Sequence, residues 1–302
     1  MTYSYPDLPT ARRGILCDAV QIATDAGKPF LVIGGWSPFI LNQGTIAHPG
    51  TYDVDLLFER AATERELETV VNAFLSHGYI SSAKHSFQLL RVARVRGRDF
   101  VFNVDFLHSG SHEDASELFV DHLVLDDGPL LYRYQSILVP MSTLLFEEDG
   151  RVQKVVEGTL PTGAAVSVTV PLMTELGTLL TKSQSMFGIK RTRDAFDVML
   201  AICQARDRVW LADAIRQNGI EDRLGALWCL LSDSGLRDNI ARYWPGAKQS
   251  AAWTRITETI ASFLAESGIE EPLMEGQASE LQKQEPSPGP GPEEGDTKGP
   301  RS

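Results

Sequence analysis

Apolar residues recur at helical spacing over residues 10–26, where Ile15, Leu16, Ala19, Ile22 and Ala23 fall on one stripe and Gly27 supplies a stop. The run PFLVIGG that follows is short, continuous and apolar, so it reads as a buried strand entering a turn. WSPFILNQG then begins a helix, with Trp36 or Ser37 near its start and Pro38 early, where proline is tolerated. TIAHPG reads as loop, YDVDLLFE as the next strand, and residues 63–77 as a helix closed by Gly78. Residues 87–94 and 100–106 read as two strands about RVRGRD, an antiparallel hairpin with Gly97 in its turn.

The pattern then loosens. Residues 107–129 are polar and loop-rich, LLYRYQSILVPMSTLLFEEDG adds one or two strands, and the region 169–181 begins a helical part of the chain after Pro171. Residues 193–208 form an amphipathic helix, with Ala195, Phe196, Val198, Met199, Ile202 and Cys203 on its apolar side. Further helices are expected over 209–217, 222–231 and 251–265. From 271 onward the chain is rich in Pro, Gly and Glu and has few large apolar residues, which predicts a disordered acidic tail. The expected organisation is an α/β unit over 1–135, a mixed and then mainly helical unit over 136–270 that completes the cleft, and a tail over 271–302.

Composition narrows the function. A formal charge of −12 over 302 residues argues against a broad nucleic-acid footprint, although a local basic site stays open. Cys17, Cys203 and Cys229 have no paired spacing, so neither a disulfide framework nor a cysteine metal site is suggested. No stretch approaches membrane-spanning length and MTYSYPDLPTARRG has no apolar signal core, so a cytoplasmic location without a membrane partner is the expectation.

The chemistry gathers around the strand YDVDLLFE. Alternation along a strand puts Asp53 and Asp55 on one side, where two carboxylates repel unless a cation meets them. The later strand DFVFNVDF offers a third acid, Asp105, on the face of Val101 and Asn103, with Phe100, Phe102, Val104 and Phe106 turned to the core. Mg2+, or Mn2+, takes oxygen ligands of this kind while also gripping phosphates, which makes Asp53, Asp55 and Asp105 candidate metal ligands. Asp105 is the candidate general base toward an attacking hydroxyl. Gly34 and Gly35 would let backbone amides approach a phosphate at the start of the next helix, with Ser37 beside them.

The order of these parts, a Gly-Gly turn, a helix, Asp53-Val54-Asp55 and then Asp105, resembles the nucleotidyltransferase superfamily with the polymerase-beta-like minimal fold. Trp36 within IGGWSPFIL is similar to the group holding AbiEii-type toxin transferases and aminoglycoside nucleotidyltransferases. LLTKSQSMFGIKRTRDAFDVMLAI resembles the AbiEii-type C-terminal signature, carried here by Lys182, Arg193, Asp194 and Asp197 with Lys190 as a neighbour. The resemblance spans residues 10–210. It implies an α/β catalytic core followed by a mainly helical region, an NTP donor gripped by Lys182 and Lys190, and Arg193 and Asp194 in the catalytic cleft. Helical spacing alone allows Asp197 to orient Arg193 while Asp194 faces that cleft, or an ordinary helix salt bridge. The chain departs from the pattern in lacking an arginine shortly before Asp53. His48 either replaces part of that polar function or is a loop residue without a role.

The resemblance implies Mg2+-dependent transfer of a nucleoside monophosphate from an NTP to a hydroxyl, with a tRNA end as acceptor and a protein antitoxin as partner. The alternatives are nucleotidylation of an aminoglycoside-like small molecule and a catalytically silent nucleotide-binding or assembly module. Arg91, Arg94, Arg96 and Arg98 either form a basic rim for RNA or solubilise a projecting hairpin.

Overall fold

The computed structural model describes residues 3–42, 46–59, 64–85, 87–110, 120–127, 130–139, 142–183, 185–186, 192–225, 227–232, 234–248 and 250–270. The expected tail over 271–302 and the candidate Lys190 lie outside them. Residues 1–270 form one compact unit, in which an N-terminal mixed α/β region precedes a mostly helical C-terminal region.

Strand β1 (Ser4–Tyr5) leads into α1 (Leu8–Asp25), whose first turn is closed by the Asp7 carboxylate accepting from the Thr10 amide at 2.8 Å. Then come β2 (Phe30–Ile33), α2 (Trp36–Leu41), β3 (Val54–Phe58) and α3 (Glu64–Ser76), followed by the short β4 (Ile80–Ser81). The expected hairpin is β5 (Gln88–Val95) with β6 (Arg98–Ser109). Its two-residue turn has Arg96 at φ 49° and Gly97 at φ 77°, a left-handed pair whose twist suits the strands it joins. β7 (Val120–Asp127) and β8 (Leu130–Val139) pair with each other, and β8 continues the sheet beside β6.

The region 151–173 departs from expectation. It is a second hairpin, β9 (Arg151–Thr159) and β10 (Ala165–Met173), so residues 169–173 are strand and α4 (Glu175–Lys182) starts only after them. Helices α5 (Thr192–Gln204), α6 (Arg208–Gln217), α7 (Glu221–Gly225), α8 (Leu227–Ser232), α9 (Ser234–Ile240) and α10 (Ser250–Glu266) complete the described chain. The single helix expected over 222–231 is thus two short ones. Phe100, expected in the core, is 37% exposed on the part of β6 that precedes its pairing with β3.

The central sheet runs β1-β5-β6-β3-β2-β10-β9. β3 is parallel to β6 and antiparallel to β2, so it is flanked on both sides and carries a nearly continuous apolar run. Alternation divides the sheet between two cores. Val32, Val54, Leu56, Phe58, Val104 and Phe106 face α1 and α3. Leu31, Ile33 and Leu57 face the other way into the core built by α4, α5 and the later helices, with Leu107 packed against it. Asp55 and Asp105 share the face of Leu57 and Leu107. The acids therefore stand on the face that the C-terminal helices cover, at the end of the strands beyond that apolar packing.

Candidate active site

Register brings the acids together. β3 and β6 pair Asp55 with Asp105 directly, so the two side chains rise from adjacent strands on one face. Asp53, just before β3, accepts a hydrogen bond from Asn103 Nδ2 at 3.1 Å, and Asp105 accepts one from Gln88 Nε2 at 2.8 Å. Burial pushes Asp105 from the ordinary 3.8 up to about 6, the Gln88 bond opposing and the nearby Asp53 charge adding to the rise. Burial also raises Asp53, partly countered by Asn103 and the Arg193 guanidinium. These amides steady the carboxylates without neutralising them. The value of Gln88 could be found only from pairing, since nothing local to Phe87 or Gln88 marks it.

The Gly-Gly turn is fitted to Asp55. Gly34 sits at φ 67°, and a Cβ there would fall 1.9 Å from Asp55 Oδ2, so both conformation and space require glycine. A Cβ on Gly35 would meet Arg193 Nη2 at 2.5 Å and Thr51 Cβ at 3.1 Å. Arg193 thus reaches from α5 to the turn, where its Nη2 donates to the Gly50 carbonyl at 2.8 Å. Its Nε is buried without a hydrogen-bond partner. Ser37 is brought near in sequence only: its buried hydroxyl donates to the Val32 carbonyl at 2.7 Å and so fastens α2 to β2.

Lys182 and Asp194 belong to a second charged group. Lys182 Nζ donates to Asp194 Oδ1 at 3.2 Å and to Asp197 Oδ2, and Ser185 Oγ donates to Asp194 Oδ2 at 2.8 Å. Burial pulls the Lys182 ammonium down, but Asp197 and Asp194 more than offset this and hold it above its usual range. Burial likewise raises Asp197, yet Lys182 and His48 hold it below the ordinary carboxylate value. Asp197 is engaged by Lys182 and His48, while Arg193, its neighbour at helical spacing, turns to Gly50 instead.

His48 has partners on both ring nitrogens. Nε2 lies 3.0 Å from Asp197 Oδ1, and Nδ1 accepts from the Gly50 amide at 3.0 Å. The ring stands between Phe39 of α2 and Phe196 of α5, at centroid distances of 5.5 and 5.8 Å. The hairpin arginines are largely occupied by structure. Arg91 donates to the His77 carbonyl, Arg96 to that of Pro6, and Arg94 pairs with Asp99 at 3.2 Å.

The donor set on the acid face consists of hard carboxylate oxygens, chemistry that suits a hard divalent cation. Among the described residues, however, no three His, Cys, Asp or Glu side chains stand close enough together to hold a metal ion. The carboxylates share a face but are not drawn into a ligand cluster. Among the described residues, no helix is long and apolar enough to cross a membrane.

No protein-family model matches this chain, and no curated protein is significantly similar to it. Among solved structures it is similar to the crystal structure of an antigenic nucleotidyltransferase-like protein from Paracoccidioides brasiliensis. The identity is 12%, the TM-score 0.32, and the match covers 86% of this chain and 95% of that one. A superposition so loose establishes neither a shared family nor a shared activity.

Proposed function

We propose that the chain is a metal-dependent nucleotidyltransferase, moving a nucleoside monophosphate from an NTP to a hydroxyl acceptor with release of pyrophosphate. The observation that carries this reading is the fit of the Gly34 turn to Asp55, itself in register with Asp105 on the neighbouring strand. A phosphate gripped at the turn would thereby lie beside the acids. Asp53, Asp55 and Asp105 would hold Mg2+ or Mn2+, which when bound orients a triphosphate and offsets charge at the transferring phosphorus.

The remaining work falls to this chain's own groups. Gly34 and Gly35, having no Cβ, let the backbone of the turn lie directly against Asp55 and Arg193 at the start of α2. Arg193, fixed by Gly50 beside Gly35, would offer charge-assisted donation from its guanidinium to phosphate oxygens. Asp105, nearest the acceptor in this reading, takes the proton of the attacking hydroxyl. Lys182 and Asp194 serve the cleft as a buried, mutually satisfied support for α5 rather than as a free cation and a free acid.

The acceptor is proposed to be an RNA end, in line with the AbiEii-like basic segment before α5, and a protein antitoxin would then be the regulatory partner. The test supplies labelled NTPs and Mg2+ to the full chain with total tRNA, and separately with aminoglycosides. Label entering RNA, lost on chelation and in both Asp53→Ala and Asp55→Ala, is the expected result. Label entering the aminoglycoside alone would move the acceptor to small molecules. Transfer that survives both substitutions would overturn the mechanism.

A further inference from the structure

The loop before Asp53 is held by more bonds than a simple connection needs. His48 Nδ1 accepts from the amide of Gly50 two residues on, closing a tight turn on the loop itself. Because Nδ1 is the acceptor, the ring proton of the neutral imidazole lies on Nε2, which donates to Asp197 Oδ1. The same Gly50 offers its carbonyl to Arg193 Nη2. Both ends of this chain of bonds are on α5: it leaves at Asp197, passes through His48 and Gly50, and returns at Arg193, one helical turn away. The next residues bind the loop to the opposite layer, where the Arg12 guanidinium of α1 stacks on Tyr52 at 3.2 Å from the ring centroid. Thr51 packs against Gly35.

We infer that His48 is a positioning residue: in its Nε2–H tautomer it locks the Gly50 turn, and through the Gly50 carbonyl it sets the Arg193 guanidinium against the Gly34-Gly35 turn. The chain lacks an arginine just before Asp53. His48 supplies instead a bracket that brings an arginine to the turn from α5, 143 residues away from the carbonyl that receives it. The ring itself is buried between Phe39 and Phe196, so it touches no ligand and acts only through Gly50 and Asp197.

Two amide side chains separate the halves of the bracket. Asparagine at this position can accept from the amide two residues on, as Asx turns do, but is too short to reach Asp197. Glutamine places its NH2 near where Nε2 lies and can donate to Asp197, but it does not close the turn. The experiment compares the full-length wild type with His48→Gln and His48→Asn by two readouts that need no transferase activity. One is hydrogen exchange over residues 46–53. The other is modification of Arg193 by an arginine-selective dicarbonyl reagent, mapped by peptide mass spectrometry.

In His48→Gln, exchange at Gly50 and modification of Arg193 should both speed up about tenfold, the effect of losing one ordinary hydrogen bond. In His48→Asn both should stay within about twofold of wild type, since the turn is rescued. The inference is overturned if His48→Gln behaves as wild type, or if His48→Asn is as labile as His48→Gln. Neither result bears on whether NTPs are substrates, so failure here and failure of the transferase reading are told apart.

Discussion

Two groups of carboxylates lie on the same side of the sheet and are built in opposite ways. Asp53 and Asp105, on either side of the β3–β6 pairing that carries Asp55, receive amide hydrogen bonds and are pushed toward protonation by burial. Asp194 and Asp197 close on the Lys182 ammonium, and Asp197 is pulled toward ionisation despite deeper burial. The difference is direct contact with a cation: Lys182 bonds both Asp194 and Asp197, while at Asp53 the Arg193 charge only partly counters burial. Lys182 makes its acids part of the scaffold, whereas burial disfavours the charged forms of Asp53 and Asp105, which an incoming cation would favour.

Removing the resident cation is the strongest way to break this contrast. Lys182→Met leaves Asp194 and Asp197 buried without their ammonium and should lower the unfolding free energy by about 3–5 kcal/mol. Urea denaturation at neutral pH measures it. Adding Asp197→Leu should recover much of that loss, which an effect of packing alone would not do.

The receptive group should respond with the opposite sign. Asp105 has a raised folded-state value, so its contribution to stability is fully present below 3.8 and is lost as pH rises through about 6. Asp105→Asn removes that loss while keeping an acceptor for Gln88. The variant should be more stable than wild type by about 1–2 kcal/mol at pH 8, the gain shrinking as pH falls from 6 toward 4. Denaturation series across that range decide it, and Mg2+-dependent transfer should disappear in the same variant.

Gly34→Ala sharpens the link between the turn and the acids. A left-handed backbone and a carboxylate in the way of Cβ together predict a loss of about 1–2 kcal/mol. Displacement of Asp55 should abolish transfer, so activity falls far more than stability. The smallest effect belongs to the exposed pair Arg94–Asp99, where Arg94→Ala should change stability by less than about 0.5 kcal/mol.

The front of the molecule was legible because its signals are local. Alternation in YDVDLLFE and DFVFNVDF oriented Asp55 and Asp105, and the glycines at 34, 78 and 97 stand at left-handed positions in turns. The hairpin over 151–173 carried a signal too, since Val166, Val168, Val170 and Leu172 alternate after a Pro-Thr-Gly turn. Pro171 drew attention away from it, although a strand tolerates proline where pairing is sparse, and β10 meets β2 only at Leu172. The pairing of His48 with Asp197 had no sequence signature, because 149 residues separate them. Spacing on α5 suggested that Asp197 holds Arg193; tertiary partners took both residues elsewhere.

The placement of β10 beside β2 bears on how the protein comes off the ribosome. β2 lies between β3, which follows closely, and β10, which is made more than 130 residues later. A nascent chain can bring Asp55 and Asp105 together as soon as β6 emerges, yet the far edge of β2 stays open until β10 is synthesised. Arg193 and Asp197 arrive later still. The two regions therefore meet only after α5 has been made, and shorter nascent chains would carry the acids without the arginine. Long-range closure of this kind also slows folding, so completion of the helical cover sets the time at which the turn, the acids and Arg193 first stand together.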